Sequence, residues 1–409
     1  MSQIDELIAE MCPEGVEMVA LGDVTLRNTS IKWEENVGKE FMYIDLSSVD
    51  RDRHAIIETE TITAETAPSR ARQIVQVGDV LFGTTRPMLA RYTRIGTEYD
   101  SQICSTGYCV LRPDRGRILT GFIFHLLGTE EFYSYVEANE KGASYPAIGS
   151  DSVKAFRIPL PPLPIQHEIV KILDTFTELE AELEAELEAR KQQYEYYRDE
   201  LFAGELRTES VACSRLDELG SFTRGKRFVK TDMVESGVPC IHYGEMYTHY
   251  GVFADEAISF IDESKASKLR KASKGDVVIV AAGETVEDIG NGVAWLGDED
   301  VVIHDACFIF THTLDPKYLS YYLRTTHCHD QIRRSVSSSK ISSISSSNLS
   351  KAVMPVPSKE RQQEIVSVLD AYEALVGNLT GGIPAEIEAR RKQYEYYRDR
   401  LLTFKEKAA

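Results

Sequence analysis

One segment of the sequence occurs twice, 200 residues apart. Residues 186–201 read ELEARKQQYEYYRDEL and residues 386–401 read EIEARRKQYEYYRDRL, which makes 12 of 16 positions identical. Further upstream, residues 159–174 and 355–370 also match, but at an offset of 196. A repeat this long exceeds the roughly 20 to 50 residues of a solenoid unit. The chain therefore contains two copies of one module, and the second copy has four more residues between its conserved parts.

Each conserved segment predicts a long amphipathic helix. In the first copy, apolar residues recur every three or four positions, which favours a helix over residues 168–202 with coiled-coil character. The apolar stripe is too long for one domain to cover, so we expect the two helices to pack antiparallel, with pseudo-twofold symmetry. Gly381, Gly382 and Pro384 interrupt the second copy. We expect a kink or a break there, with Pro384 in the first turn of the resumed helix.

The conserved helices divide the chain into four segments. We expect a first variable domain over residues 1–160, a central helix over 161–206, a second variable domain over 207–357 and a distal helix over 358–409. Both variable domains show a mixed α/β pattern. Strands are predicted at residues 75–82, 107–111, 276–281 and 306–310, and helices at 121–137 and 316–335.

The formal net charge of −19 is unfavourable for a nucleic-acid binder until it is divided along the chain. Residues 161–206 are the most acidic part for their length, with 4 basic and 12 acidic side chains, whereas the variable domains contain local clusters of arginine and lysine. Such clusters can face phosphates even in an acidic chain, although a solvated surface is the alternative for each. A DNA binder of this kind is expected to work beside a more basic partner.

The sequence gives no sign of a membrane protein. No stretch approaches the roughly 18 to 20 apolar residues of a membrane helix. The first eleven residues, MSQIDELIAEM, lack a basic region followed by an apolar one. We therefore expect a cytoplasmic protein without a membrane partner.

No catalytic apparatus is visible either. Residues 220–227, GSFTRGKR, share the GxxxxGK frame of a phosphate-binding loop, but Arg227 stands where a serine or threonine would hold magnesium. We expect a basic loop there, in which Gly225 allows a close backbone approach. His327 and His329 lack a second pair of ligands, so no metal site is predicted. The chain is expected not to be an enzyme and to hold no cofactor of its own.

The repeated motifs resemble those of a known family. PLPPLPIQHEIVKILD followed by QYEYYRDEL is similar to the central conserved region of the DNA specificity subunits of type I restriction-modification systems, and PVPSKERQQEIVSVLD followed by QYEYYRDRL to the distal one. The run LEAELEAELEAR, which begins at Leu179, resembles the tetrad repeat of the type IC branch. Its tetrad begins with glutamate where the family's usual version has threonine.

The resemblance implies both a fold and a function. The variable domains would be α/β (α+β) target-recognition domains in tandem, joined by two long antiparallel coiled-coil helices. Each would read one half of a bipartite, asymmetric target in double-stranded DNA, while the paired helices set the spacer length and dock two methylation subunits. Restriction subunits would join through the complex. S-adenosylmethionine, ATP and magnesium would belong to the partner subunits.

Candidate DNA contacts are hydroxyl, aromatic and basic residues on glycine-flanked loops. Gly83 and Gly283 lie 200 residues apart beside similar Gly-Asp-Val segments, which indicates a shared loop. The candidates are Thr84, Thr85, Arg86, Arg91, Tyr92 and Arg94 in the first domain, and Arg224, Lys226, Arg227, Tyr243 and Lys340 in the second. A solvated or structural role is the alternative for each.

The ends of the conserved helices are candidates for partner docking, and packing of the helix ends is the alternative. The residues concerned are Tyr194, Tyr197, Arg198, Tyr394, Tyr397 and Arg398.

Other functions remain open at this point. A solitary subunit could serve for exchange of recognition domains or act as a decoy without active partners. A coiled-coil scaffold without a DNA role is the alternative from a different class, and a nuclease in its own right is a more distant one.

Overall fold

The computed structural model describes residues 3–337, 341–376 and 382–407. The chain forms two compact units. Unit 1 combines Met1–Glu184 with Ile387–Ala409, and unit 2 consists of Ala185–Glu386. Both boundaries between the units fall inside the conserved helices.

Unit 1 is a mixed α/β structure. Its short helices are α1 (Gln3–Met11), α2 (Thr120–Leu126), α3 (Glu130–Asn139) and α4 (Ser150–Lys154). Its strands are β1 (Glu17–Ala20), β2 (Thr25–Leu26), β3 (Thr29–Ser30), β4 (Phe41–Ile44), β5 (Glu60–Ile62), β6 (Ala71–Ile74), β7 (Val80–Gly83), β8 (Tyr92–Arg94), β9 (Ile103–Ser105), β10 (Tyr108–Pro113) and β11 (Arg157–Leu160). They form a pair β1-β11 and two larger sheets, β2-β10-β7-β8 and β3-β6-β9-β4-β5. Strands β4 and β9 are parallel.

The first conserved helix is longer than the sequence predicts. Helix α5 runs over Leu163–Arg207, which is 45 residues, instead of residues 168–202. Pro164 is its second residue, a position where the missing N–H has no helical partner to lose. The helix therefore begins directly after the Pro-rich entry segment.

Unit 2 is built in the same way. Its strands are β12 (Ala212–Arg215), β13 (Gly220–Arg224), β14 (Met233–Val234), β15 (Val238–Ile241), β16 (Phe253–Ala254), β17 (Ser259–Ile261), β18 (Lys271–Ala272), β19 (Val277–Val280), β20 (Ala282–Gly283), β21 (Gly292–Trp295), β22 (Val301–Ile303), β23 (Cys307–His312), β24 (Ser342–Ser343) and β25 (Val353–Val356). The short helices are α6 (Leu216–Leu219), α7 (Glu245–Thr248), α8 (Glu263–Ala266), α9 (Pro316–Leu323), α10 (Thr326–Arg333) and α11 (Ser346–Leu349). The sheets are β12-β25, β13-β23-β19-β21-β16, β14-β17-β15-β22-β18 and β20-β24. Strands β15 and β22 are parallel, as β4 and β9 are in unit 1.

The second conserved helix occurs as two pieces, α12 (Lys359–Val376) and α13 (Gly382–Leu401). Pro384 is the third residue of α13, so its predicted place in the first helical turn is confirmed. Gly382 has φ +67°, a conformation that glycine adopts without a steric penalty. Gly381, the other glycine of the predicted break, lies outside the described residues.

The conserved helices run antiparallel in unit 1. Phe176 stacks on Tyr397 with ring centroids 5.5 Å apart, and Glu180 pairs with Arg391 at 2.6 Å. Residues later in α5 therefore contact residues earlier in α13, as expected for an antiparallel pair.

The same direction holds in unit 2. Tyr197 stacks on Tyr372 at 5.7 Å, and Glu205 pairs with Arg361 at 2.9 Å. The predicted antiparallel packing of the two conserved helices is thus confirmed within each unit.

Each helix also anchors the domain that precedes it. In unit 1, Asp174 of α5 accepts a hydrogen bond from the buried His125 ring at 3.0 Å, and the other nitrogen of that ring lies 2.9 Å from the Tyr394 hydroxyl. Burial alone would raise the pKa of Asp174, but the hydrogen bond from His125 and the nearby Arg94 hold it below its usual range. In unit 2, the equivalent Asp370 accepts from Tyr321 Oη at 2.7 Å. One aspartate on each helix therefore serves as the polar centre of an otherwise apolar contact.

Several predicted elements are shorter than expected. Residues 75–82 are not one strand, because Gly78 adopts φ +88° and starts a turn before β7. Helix 121–137 is divided by Thr129, whose side chain caps α3 by accepting from the Phe132 N–H. Helix 316–335 is divided in the same way by Thr325, which caps α10.

None of the helices within the described ranges combines the length and apolar character needed to cross a membrane.

Candidate nucleic-acid interface

A loop leaves the central strand of each unit at the same place. In unit 1, Thr84 N–H donates to Gly107 O at 2.8 Å and its carbonyl accepts from Ile148 N–H at 2.9 Å. In unit 2, Ala281 makes the matching bonds to Ala306 O and Ile344 N–H, at 2.8 and 2.9 Å. Thr84 therefore corresponds to Ala281. The predicted shared loop exists, but Gly283 is equivalent to Arg86, and the pairing of Gly83 with Gly283 is wrong.

A second loop lies beside the first in each unit. Thr85 and Lys141 both bridge to Ala147 in unit 1, and Ala282 and Ser337 both pair with Ser343 in unit 2. We call this feature the paired-loop surface: residues 84–91 with 141–147 in unit 1, and residues 281–290 with 341–343 and Ser337 in unit 2. Lys340, a predicted DNA contact, lies outside the described residues.

Arg86 is the most prominent side chain of the paired-loop surface in unit 1. It is exposed, and its guanidinium lies 4.4 Å from the ring centroid of Tyr145, which is itself 70% exposed. Its backbone adopts φ +49°, which costs a non-glycine residue roughly 1 to 2 kcal/mol, while its N–H donates to Pro146 O at 2.7 Å. The arrangement holds a planar donor fork over an exposed aromatic ring, suited to a base edge or a phosphate.

The other candidates of the first domain divide into two groups. Thr85 and Arg91 are half-buried beside Arg86 and stay candidates. Thr84 is buried, and its hydroxyl donates to Gly107 O at 2.8 Å, so its predicted DNA contact is contradicted by its place in the core.

Tyr92 and Arg94 are also corrected by the structure. Alternate residues of a strand share a face, and this face of β8 is directed toward the helices. Tyr92 is 2% exposed and stacks on His54 at 3.8 Å. Arg94 pairs with Asp174 at 2.9 Å and lies 4.5 Å from the centroid of the Phe124 ring. Tyr92 thus lies in the core and Arg94 holds the domain on α5, so neither is placed for DNA contact.

A cleft of about 760 Å³ lies next to the paired-loop surface of unit 2. It contains three of the predicted residues, Arg224, Arg227 and Tyr243. Sequence reasoning missed most of the rest of its lining, chiefly Phe228, His242 and His304 together with the small residues Ala282, Gly283 and Ala306. Lys230, which also lines the cleft, belongs to one of the local clusters of arginine and lysine. Lys226 is outside the lining and donates to Lys268 O at 2.8 Å.

Residues 220–224 form strand β13 and not the predicted loop. Gly225 follows this strand, and its N–H donates to Cys307 O at 2.9 Å. A Cβ added there would lie 2.2 Å from His304 O, so glycine is required for this approach. The close approach predicted for Gly225 is therefore made to the protein's own backbone.

The imidazoles of the cleft are held neutral. Burial lowers the pKa of His242 against the opposing effect of Glu245, and Lys230 lowers it further. Burial also lowers the pKa of His304, although Asp305 acts in the opposite direction. In the described ranges, no three histidine, cysteine, aspartate or glutamate side chains are grouped so as to hold a metal ion.

The candidate docking residues on the helices separate by exposure. Tyr194, Tyr394 and Arg198 are at most 9% exposed, and Arg398 is largely buried beside Tyr394, so these four pack within their units. Tyr197 and Tyr397 are each 40% exposed. Their neighbours Tyr196 and Tyr396 are 63% and 60% exposed, which leaves one exposed tyrosine pair on each of α5 and α13.

Comparison with known proteins gives matches over nearly the whole chain. The family model described as the type I restriction modification DNA specificity domain matches twice, at residues 13–189 and 209–389. A putative type I restriction enzyme specificity subunit of Haemophilus influenzae is 32% identical over 69% of this chain and 72% of its own length. The EcoR124I/EcoR124II specificity subunit of Escherichia coli is 33% identical over 63% of this chain and 65% of its own length, just under two thirds.

A solved structure has the same fold. It comes from work on complex assembly and conformational transition of the type I R-M system, and it aligns with a TM-score of 0.66 and 24% identity. The alignment covers 95% of this chain and 98% of that one.

Proposed function

The chain belongs to the type I restriction-modification DNA specificity family, as its repeated motifs predict, and from this we propose that it selects a bipartite target in double-stranded DNA for methylation and cleavage by partner subunits. It is a specificity subunit with two tandem recognition domains, and it is the non-catalytic component of its system. We propose that each paired-loop surface faces one half of the target.

One observation carries this proposal. The two units repeat the same framework, down to the hydrogen bonds of Thr84 and Ala281 and the aspartates on the two helices, but their paired-loop surfaces differ completely. Unit 1 presents Arg86 on Tyr145, whereas unit 2 presents a cleft with rings and cations. A constant frame with two different surfaces is suited to an asymmetric, two-part sequence.

The partners follow from the same proposal. Two methylation subunits dock on the conserved helices, where Tyr196 with Tyr197 and Tyr396 with Tyr397 offer exposed aromatic contacts. Restriction subunits join through the complex. S-adenosylmethionine, ATP and magnesium belong to these partners, and the net charge of −19 favours a partner that contributes further phosphate contacts. Because the DNA and the partners are cytoplasmic, we place the protein in the cytoplasm.

Co-expression with a methylation subunit tests the proposal. Sequencing of methylated DNA should reveal one motif with two specified halves and an unspecified spacer. Substitutions in the paired-loop surface of unit 1 should change only one half. A stable complex that methylates no bipartite motif would exclude the specificity role and favour a scaffold. A motif that appears only when recognition domains of another specificity subunit are present would favour the exchange or decoy alternative.

A further inference from the structure

The cleft of unit 2 is lined by a continuous group of rings. His242 lies 4.6 Å from Tyr243 and 4.8 Å from His304 between ring centroids, and Tyr243 lies 5.3 Å from His304. The buried ring of Phe228 meets His304 edge-on at 5.2 Å. Flat aromatic surfaces of this kind bind nucleobases by stacking, whatever the base.

The fold itself does not require this cleft. The parallel strands pair Ile44 with Cys104 in unit 1 and Ile241 with Ile303 in unit 2, which makes the following residues equivalent. His242, Tyr243 and His304 therefore correspond to Asp45, Leu46 and Ser105. Leu46 packs so closely against Gly107 that a Cβ added to this glycine would lie 2.8 Å from its side chain. Unit 1 therefore has an aspartate, a leucine and a serine at the positions where unit 2 has three rings.

The buried histidines of the cleft are held in a fixed orientation. Gly244 N–H donates to Nδ1 of His242 at 3.4 Å, and Ala306 N–H donates to Nδ1 of His304 at 3.1 Å. Because a neutral imidazole that accepts at Nδ1 carries its proton on Nε2, His242 is a donor at Nε2. Nδ1 of His304 also lies 3.2 Å from Asp305 Oδ1, and its ring bonds to the Phe228 backbone, so His304 serves mainly as a ring of the lining. Both residues are more than nine-tenths buried, at 7% and 9% exposure, so His242 offers a donor of a built site and not of a solvated surface.

Cations complete the lining. Arg224, Arg227 and Lys230 line the cleft, and Glu284 and Asp305 are the acidic residues among its lining. Arg224 Nε already donates to Asp305 O at 2.8 Å, so Arg227 and Lys230 are better placed to meet an anion. The combination of rings, a neutral donor and cations matches the three parts of a nucleotide: a flat base, its polar edge and a phosphate.

We propose that the cleft of unit 2 holds a single base of the second half-target, taken out of the DNA stack. The base stacks on Tyr243 and His242, and the phosphate beside it meets Arg227 and Lys230. The volume of about 760 Å³ lies within the roughly 300 to 1,000 Å³ of sites that enclose small ligands. This inference rests on the proposed function, and it assigns different modes of DNA reading to the two units.

Mismatch scanning of the target tests the inference. A protein that extrudes a base binds more tightly when that base is already unpaired, because the cost of opening the pair is removed. We expect the full chain in complex with its methylation subunit to bind about tenfold more tightly when one position of the second half-target is mismatched on the opposite strand. This position should differ from the methylated adenines, which give the same signature through the methylation subunits and serve as internal positive controls.

Variants of the cleft make the test specific. Tyr243→Ala and His242→Ala should abolish the gain at the cleft's position and keep it at the methylated adenines, while Tyr243→Phe, which retains a ring, should preserve both. Leu46→Ala, at the equivalent position of unit 1, is the matched control and should leave the gain unchanged. Circular dichroism and an unchanged thermal unfolding midpoint check that each variant is folded.

Three outcomes would overturn the inference. The first is a bipartite motif without any extra position of tighter binding, and the second is a gain that persists in Tyr243→Ala. The third is saturable binding of adenosine monophosphate to the chain without DNA and without a mismatch effect, which would make the cleft a site for a free nucleotide. Failure of the proposed function is distinct, because no bipartite motif would then be methylated at all.

Discussion

Besides the imidazoles of the cleft, His54 of unit 1 and His312 of unit 2 are held neutral by their surroundings. Burial lowers the pKa of His54 to about 4, against the opposing effect of Asp50, and its ring stacks on Tyr92. Burial likewise lowers the pKa of His312 to about 4, and its ring stacks on Phe310 at 5.4 Å. Each folded unit therefore binds a proton more weakly at this position than the unfolded chain does.

These histidines make stability depend on pH. As pH falls below about 6.5, the unfolded chain is protonated first, so the free energy of unfolding decreases until about pH 4, where the folded rings are protonated as well. Each histidine should contribute about 1.4 kcal/mol per pH unit in this window. Urea unfolding at about pH 7 and about pH 5.5 should show a smaller loss in the His54→Gln, His312→Gln double variant. The exposed His167→Gln is the control, and an unchanged loss in the double variant would contradict the assignment.

A second prediction at the scale of residues concerns the DNA contact of Arg86. If its fork reads a guanine edge, Arg86→Ala should weaken target binding by about 1 to 3 kcal/mol and relax one position of the first half-target. Arg86→Lys should restore little, because lysine lacks the planar pair of donors. Arg157→Ala, which removes an exposed arginine paired with Glu406, is the control. A loss that is equal for all sequences, shrinks as salt is raised and is rescued by lysine would instead identify a phosphate contact.

At the scale of elements, periodicity predicted more than local chemistry did. The spacing of apolar residues gave α5 and its antiparallel partner because one face of each helix must be buried. The same reasoning did not predict the helix boundaries at Thr129 and Thr325. The apolar pattern continues across each boundary, and only the side-chain hydrogen bond of the cap marks it.

The cleft of unit 2 could not be predicted from the sequence for a different reason. Phe228, His242 and His304 are far apart in sequence, and the parallel pairing of β15 with β22 brings the two histidines together. No spacing rule connects the ends of two strands whose neighbourhood depends on the sheet order. The pattern of basic residues near glycine led to the prediction of Arg227 and Arg86 as candidates. It could not predict that side-chain alternation along β8 directs Tyr92 and Arg94 toward the interior of unit 1.

The tetrad repeat of α5 allows a test of helix length. Deleting residues 182–185 removes about 6 Å of helix and turns the following residues by about 40°, while the repeat places Glu188 where Glu184 was. If the helix sets the spacer, the preferred spacer should change by about one or two base pairs, at about 3.4 Å each, with both half-targets unchanged. Sequencing of methylated DNA measures both. Glu184→Gln is the control, because it breaks the pairs with Arg53 and Arg391 without changing length; altered half-targets in the deletion variant would contradict the ruler role.

At the scale of the whole molecule, the two structural units do not coincide with the two halves of the sequence. Unit 1 is completed by residues from the end of the chain, among them Tyr394 and Leu402, which belong to its core. Unit 2 takes the equivalent Tyr194 and Phe202 from the second half of α5. Each recognition domain is therefore stabilised by a helix segment that follows the other domain in sequence, so neither half of the chain contains a complete unit 1.

This connectivity predicts the behaviour of a half-length chain. In a fragment of residues 1–207, the continuous helix α5 prevents residues 185–207 from folding back onto residues 163–184 of the same copy. Residues 186–201 share 12 of 16 positions with the missing segment, so a second copy can supply them, with Tyr194 in place of Tyr394 and Phe202 in place of Leu402. We expect a dimer by light scattering, weakened by Tyr194→Ala, and no dimer for residues 1–184, which lack the exchanged segment. A folded monomer of residues 1–207, as stable as unit 1 in the full chain, would show that the distal helix is dispensable to unit 1.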